Sequence, residues 1–181
     1  MKIKTIAVFG SGKVTQESLA YQQAVKLGRL LAQKGFVVCN GGYRGIMEAS
    51  ARGVKEAGGK TIGIAAGEFV HTKVNAWITE TKQVKTWGER LFKLVETADA
   101  YIVCDGGTGT LTELFVVWEM INKGMIKKPV VVLGKFLHSL TEFLKKDPLI
   151  HFPNCLKLAY TPEEAVEQLT TMNDKDAGFR M

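Results

Sequence analysis

The segment Asp105-Gly106-Gly107-Thr108-Gly109-Thr110-Leu111-Thr112-Glu113 gathers the groups best suited to chemistry. Its glycines and threonines can turn backbone amides and hydroxyls toward an anion, and Glu113 sets a carboxylate a short way along the helix that follows. Two other glycine clusters share this character, Gly10-Ser11-Gly12-Lys13 and Asn40-Gly41-Gly42-Tyr43-Arg44-Gly45-Ile46-Met47-Glu48. A glycine turn entering a helix leaves N–H groups unpaired, and these, with the helix dipole, favour a phosphate. Glycine also permits tight turns with no ligand at all, so the case rests on three clusters meeting at one place. The common nucleotide motifs do not fit. Gly10-Ser11-Gly12-Lys13-Val14-Thr15 lacks the third glycine of the dinucleotide fingerprint, and Asn40 ends the second strand where a ribose-binding acid belongs. Lys13 is followed by Val14, with no glycine five residues before Gly12, so the Walker pattern fails as well.

Elements of a particular kind must carry these turns. Each cluster follows a short apolar run, over residues 3–9, 36–39 and 100–104, of the composition expected for strands buried on both faces of a parallel sheet. Each is followed by a helical pattern: residues 18–34 with Leu19, Val25, Leu27, Leu30 and Leu31, the alanine-rich 46–57, and the stripe Leu111, Leu114, Phe115, Trp118 and Ile121. Further strands are predicted over 61–65, 79–84, 129–133 and 156–159, and helices over 86–98 and 137–146. A last helix opens at Thr161-Pro162-Glu163-Glu164, with a threonine cap, a first-turn proline and a capping-box glutamate. This alternation predicts one α/β domain over residues 1–171, a single doubly wound, mostly parallel sheet with helices on both faces, and a frayed tail over 172–181. Right-handed crossovers then bring every strand's carboxyl end, and with it all three glycine clusters, to one edge. Residues 66–77 form the longest irregular stretch and read as a mobile flap.

Composition bounds the partners. The chain has 181 residues, enough for one domain with its own core, and its 19 glycines are about one residue in ten against a usual ~7%. The three cysteines, Cys39, Cys104 and Cys155, are far apart and form no CxxC pair, which argues against a disulfide framework or a thiolate metal site and fits a reducing cytoplasm. No signal peptide or membrane-spanning run is evident. The net charge of +6 permits an anionic partner, but the bases are scattered and not interleaved with aromatics, which favours a small phosphorylated ligand over nucleic acid.

The 105–113 segment resembles the PGGxGTxxE signature of the LOG family, the cytokinin riboside 5′-monophosphate phosphoribohydrolases once labelled possible lysine decarboxylases. Residues 40–48 are similar to that family's GGxxGxM turn, Phe9-Gly10-Ser11 to its first-strand loop, and Arg90 stands where its helix supplies a functional arginine. The resemblance covers roughly residues 3–133. It implies a homodimeric, Rossmann-like protein, needing no cofactor or metal, that hydrolyses the N-glycosidic bond of a nucleoside 5′-monophosphate to free base and ribose 5-phosphate. In that reading Gly106, Gly107, Thr108, Gly109 and Thr110, helped by Gly10, Ser11, Gly41, Gly42, Arg44, Gly45 and Met47, hold the phosphorylated substrate, and Glu113 and Arg90 are catalytic. A carboxylate beside the anomeric carbon can offset oxocarbenium charge, hold a ribose hydroxyl or deprotonate water. The decarboxylase label finds no support, since no cofactor-binding lysine site is evident.

Simpler roles compete at several positions. Thr110-Leu111-Thr112-Glu113 also reads as a capping box, Arg90 as a snorkelling arginine beside Trp87, Leu91, Leu94 and Val95, and Arg44 as a solvated turn residue. His71, His138 and His151 read as surface or packing residues, and Tyr43 and Trp77 as local packing or as platforms for a base. The helix after the signature is apolar nearly all round, with Val116, Val117 and Met120 beside its main stripe, so either other helices of the chain or, as the resemblance implies, a second subunit covers it. One departure stands out. Asp105 replaces the family's proline and puts a negative charge by the phosphate loop, to be offset by Lys13, Arg44 or Arg90, or else the ligand differs. The second case favours a non-catalytic carrier of a phosphorylated ligand, such as the molybdenum-cofactor carrier proteins of similar fold.

Overall fold

The computed structural model describes residues 2–69 and 72–178. The chain alternates between the two element types: β1 (Thr5–Phe9), α1 (Leu19–Gln33), β2 (Val37–Asn40), α2 (Ile46–Glu56), β3 (Thr61–Ala66), β4 (Glu80–Val84), α3 (Trp87–Thr97), β5 (Ala100–Cys104), α4 (Thr108–Asn122), β6 (Val130–Leu133), α5 (Lys135–Leu144), β7 (Leu156–Ala159) and α6 (Pro162–Gly178). The strands form one seven-stranded sheet in the order β4-β3-β2-β1-β5-β6-β7, and every pairing in it is parallel. This is the doubly wound, Rossmann-like architecture that the alternation of patterns predicts.

Successive residues of each central strand feed opposite cores. Ile6 and Val8 of β1 pack with Leu27 and Leu31 of α1, Val54 of α2 and Leu169 of α6. Ala7 and Phe9 face the other side, with Leu94 of α3, Leu114 and Trp118 of α4 and Leu137 of α5. β5 is buried along its whole length because helices cover both faces, which is why its sequence is a continuous apolar run without alternation. Each fully buried side chain of this size contributes roughly 1.5–3 kcal/mol through apolar transfer. The edge strand β4 is largely exposed and correspondingly polar, hence its weaker signal in the sequence.

Side-chain caps fix where helices begin. Ser18 accepts from the Tyr21 amide at 3.2 Å. At α6 the predicted threonine cap is present, Thr161 Oγ1 accepting from Glu164 N at 3.2 Å, while the Glu164 carboxylate reaches one residue past the cap and its Oε2 accepts from Tyr160 N at 2.7 Å in place of the reciprocal bond of a capping box. The helical backbone of α6 continues to Gly178, past Thr171, where the sequence reading starts a frayed tail; neither glycine nor proline interrupts it before Gly178. Residues 179–181 of that tail lie outside the described residues, as does His71. Among the described residues no helix is long and apolar enough to cross a membrane.

Candidate functional site

The three glycine turns meet at the carboxyl edge and are tied together by backbone hydrogen bonds. Ser11 N–H donates to the Asp105 carbonyl at 3.2 Å, joining the turns after β1 and β5, and Ile46 N–H donates to the Ser11 carbonyl at 2.9 Å, joining the turns after β1 and β2. Asn40, standing where a dinucleotide-binding protein would carry an acid, braces its own turn. Its Oδ1 accepts from Gly42 N at 2.8 Å, and its Nδ2 donates to the Met47 carbonyl at 2.9 Å.

Between these turns lies a cavity of about 850 Å³. Of the residues singled out from sequence, Gly10, Ser11, Gly41, Met47, Arg90, Gly107, Thr108, Gly109, Thr110 and Glu113 line it. Gly42, Gly45 and Gly106 shape the turns behind the wall and do not line it. Arg44 is exposed and faces a neighbouring hollow of about 660 Å³, together with Lys73, Asn75 and Trp77. Tyr43 borders both, whereas Trp77 lies only in the second.

At one end of the cavity is the start of α4. Its N-cap is Gly107, which offers no side-chain acceptor, and the first intrahelical bond runs from Leu111 N–H to the Gly107 carbonyl at 3.0 Å. The amides of Thr108, Gly109 and Thr110 precede that bond and belong to the electropositive end of the helix. A side chain at Gly107 or Gly109 would meet no protein atom within 4 Å, so packing does not demand glycine there.

Because α4 begins at Thr108, Thr110 is within the first turn and Glu113 lies beyond it, so Thr110-Leu111-Thr112-Glu113 is not a capping box. Glu113 instead projects into the cavity, half-buried, and burial pushes its carboxyl up to about 7 even though Arg90 nearby pulls it down. Such a carboxyl is divided between its two protonation states at neutral pH.

Arg90 is 7% exposed, and the snorkelling alternative does not hold. Its Nε donates to the Ile64 carbonyl at 2.9 Å, its Nη2 lies 3.7 Å from the Met47 sulfur, and its guanidinium carbon stands 5.3 Å and 5.8 Å from the ring centroids of Tyr43 and Phe69. Burial holds its pKa below the usual guanidinium range, and Glu113 draws it back up. The arginine reaches this place over Gly41, where a Cβ would collide with Nη2. Cys39 and Cys104 are buried and both are pushed up to about 12, which removes thiolate chemistry from this edge.

Phe69, Thr72 and Trp87 also line the cavity, and residue-by-residue reading of the sequence missed them. Phe69 and Thr72 belong to the irregular stretch, which has no periodicity to fix its direction. The ring of Phe69 sits edge-on to Tyr43 at 5.5 Å, and Asn75 Nδ2 fastens the stretch to the Gly42 and Tyr43 carbonyls at 2.9 and 2.7 Å. Their signal was aromatic and hydroxyl side chains in a loop leaving a strand's carboxyl end. His138 is buried in contact with Val132 and Tyr160, and the His151 carbonyl accepts from Trp118; neither histidine lines the cavity.

Asp105 does not face the cavity cations. Its carboxylate accepts from Phe136 N at 3.1 Å and Leu137 N at 2.9 Å, at the start of α5, so helix amides and not Lys13, Arg44 or Arg90 receive its charge.

A parallel sheet with helices on both faces, whose carboxyl edge sets a helix N-terminus without a side-chain cap beside a carboxyl and a guanidinium, defines the class: an α/β protein of Rossmann-like fold. The chain belongs to the SLOG cluster4 family, whose model matches residues 3–165. It is 32% identical over 141 residues to an uncharacterized protein of Archaeoglobus fulgidus, covering 74% of this chain and 87% of that one. To the cytokinin riboside 5′-monophosphate phosphoribohydrolase of Mycobacterium tuberculosis it is 30% identical over 177 residues, covering 96% of this chain and 90% of the relative. Among solved structures it is similar to the molybdenum cofactor binding protein of Rippkaea orientalis, with a TM-score of 0.76 and 29% identity over 95% of this chain and 98% of that one. The LOG resemblance carried by the signature segment is upheld by the second of these relatives.

Proposed function

We propose that the protein hydrolyses the N-glycosidic bond of a nucleoside 5′-monophosphate, of the AMP or cytokinin riboside monophosphate type, releasing the base and ribose 5-phosphate. The observation that carries this reading is one cavity holding the free amides of Thr108, Gly109 and Thr110 together with Glu113 and Arg90. The name of the Mycobacterium tuberculosis relative supports it. The amides and Ser11 take the 5′-phosphate, a part of the substrate that does not react, so that its binding energy orients the ribose. Water attacks the anomeric carbon, the electron pair of the glycosidic bond leaves with the base nitrogen, and that nitrogen takes up a proton. Positive charge builds on the sugar meanwhile, and ionised Glu113 opposes it or accepts the proton of the water; both roles need the carboxylate form. Arg90, fixed by the Ile64 carbonyl and two rings, supplies a positive charge in a planar fork, and Tyr43, Phe69 and Trp87 offer apolar surface for the base. The protein acts as a homodimer in a reducing cytoplasm. The dimer is supported by an apolar groove along α4, lined by Leu111, Phe115, Val116 and Met120, and the compartment by three free cysteines.

The test is incubation with AMP and cytokinin riboside monophosphates, with free base and ribose 5-phosphate assayed; no release across the panel would falsify the reading. A second reading, a non-catalytic carrier of a phosphorylated ligand, is favoured by the likeness to the Rippkaea orientalis molybdenum cofactor binding protein. It predicts saturable calorimetric binding of molybdenum cofactor or a nucleoside monophosphate, with no product formed.

A further inference from the structure

Asp105 ends β5 and begins the glycine loop, yet its side chain is committed elsewhere. Both carboxylate oxygens are used, Oδ2 by Phe136 N–H at 3.1 Å and Oδ1 by Leu137 N–H at 2.9 Å. These are first-turn amides of α5, whose N-cap, Gly134, has no side chain to satisfy them. An anion at a helix N-terminus is favourable, and a bidentate carboxylate also fixes direction. Gly134 makes the contact possible. Its φ of 139° lies outside what L side chains readily adopt, and a Cβ there would collide with the Asp105 carboxylate. The Asp105 main chain holds the opposite side, its carbonyl accepting from Ser11 N at 3.2 Å, and the Ser11 carbonyl in turn accepts from Ile46 N at 2.9 Å. A continuous set of hydrogen bonds therefore runs from α5 through Asp105 and Ser11 to the start of α2, crossing the base of the loop 106–110.

We propose that Asp105 is a positioning residue: its carboxylate latches the 106–110 loop to α5 and so holds the α4 amides in register with the turn after β1. It touches no ligand, since neither Asp105 nor residues 134–137 line the cavity. The charge at this position therefore serves the scaffold, paired with the first-turn amides of α5. The consequence for ligand affinity rests on the reading of residues 106–110 as the phosphate loop, but the latch itself does not.

Amide hydrogen exchange reads the latch without a ligand. Asp105→Ala is expected to raise exchange at Phe136 and Leu137 and through 106–110, with the β1 and β5 core amides unchanged. Asp105→Asn, which retains one acceptor oxygen, is expected to fall in between. Gly134→Ala, lying outside the cavity, is expected to reproduce the effect from the other side and serves if Asp105→Ala fails to fold. In the same variants, calorimetry with inorganic phosphate and AMP is expected to show affinity weakened about tenfold, and KM raised by a similar factor with kcat changed less, as a displaced binding loop requires. Folded variants whose 106–110 exchange matches the parent would overturn the latch. If the exchange changes and the parent binds neither phosphate nor AMP, the latch stands and the phosphate reading falls.

Discussion

Glu113 and Arg90 are close enough to perturb one another, and burial acts on both in the direction of neutrality. For Glu113 this has a definite pH consequence. A carboxyl brought to about 7 is protonated below that value, and the proposed reaction needs it ionised. If the proposed hydrolysis takes place, kcat/KM of the parent protein is therefore expected to rise with pH through about 7, falling about tenfold per unit on the acid side. Glu113→Gln should remove that limb and lower the rate by on the order of 10²–10⁴-fold, while leaving AMP affinity largely in place. A pH–rate series on both proteins checks this; an unchanged acid limb in the variant would show that another group titrates. Arg90→Lys retains a positive charge but loses the planar fork, leaving the Ile64 carbonyl without its Nε–H donor. The expected outcome is a loss of about 1–3 kcal/mol of stability in chemical denaturation, together with a fall in kcat/KM that the preserved charge does not prevent.

At the scale of elements, α4 does two jobs with opposite ends. Its first turn gives amides to the cavity. Its body lays Leu114, Val117 and Trp118 on the sheet, while Phe115, 41% exposed, and Met120 open onto the apolar groove. A helix apolar on nearly all sides needs cover on both, and among the described residues this chain covers one. Phe115→Asp should convert the proposed dimer to monomer, read as a halved mass in light scattering behind size exclusion. An unchanged mass would place the interface elsewhere or leave the protein monomeric throughout. α1 and α2 show another use of glycine: Gly28 and Gly53 let the two helices pack so closely that a Cβ at either would strike backbone of the other. No motif in the sequence marks these two. They are contact points, because closeness between helices has no local signature.

For the whole molecule, a ligand that binds only the folded chain must stabilise it by mass action. AMP at about one hundred times its dissociation constant is expected to add about 2.7 kcal/mol, which for a chain of this size raises Tm by several degrees. Thermal melts at graded AMP check this, and a flat response would remove nucleoside monophosphates from the ligand class. The parallel sheet makes such coupling natural, since the turns around the cavity follow strands from both halves of the strand order and their amides are fixed only when the sheet has assembled.

The sequence by itself determined the alternation of strand and helix, and hence the doubly wound sheet, because fully buried parallel strands must be continuous apolar runs and amphipathic helices must repeat near 3.6 residues. It also determined that the glycine turns after β1, β2 and β5 share an edge, since right-handed crossovers leave them nowhere else to go. Which residues on that edge face the same space was decided only by tertiary structure. Arg44 and Arg90 look alike as candidates, yet one is solvated and the other is drawn beneath two rings by the Ile64 carbonyl, 26 positions away. Asp105 reads as a charge on the anion site until α5, some thirty positions further on, is seen to supply the amides that take it. Hydrogen-bond partners and burial depend on elements brought together from distant parts of the chain, and periodicity and local motifs carry no record of that distance.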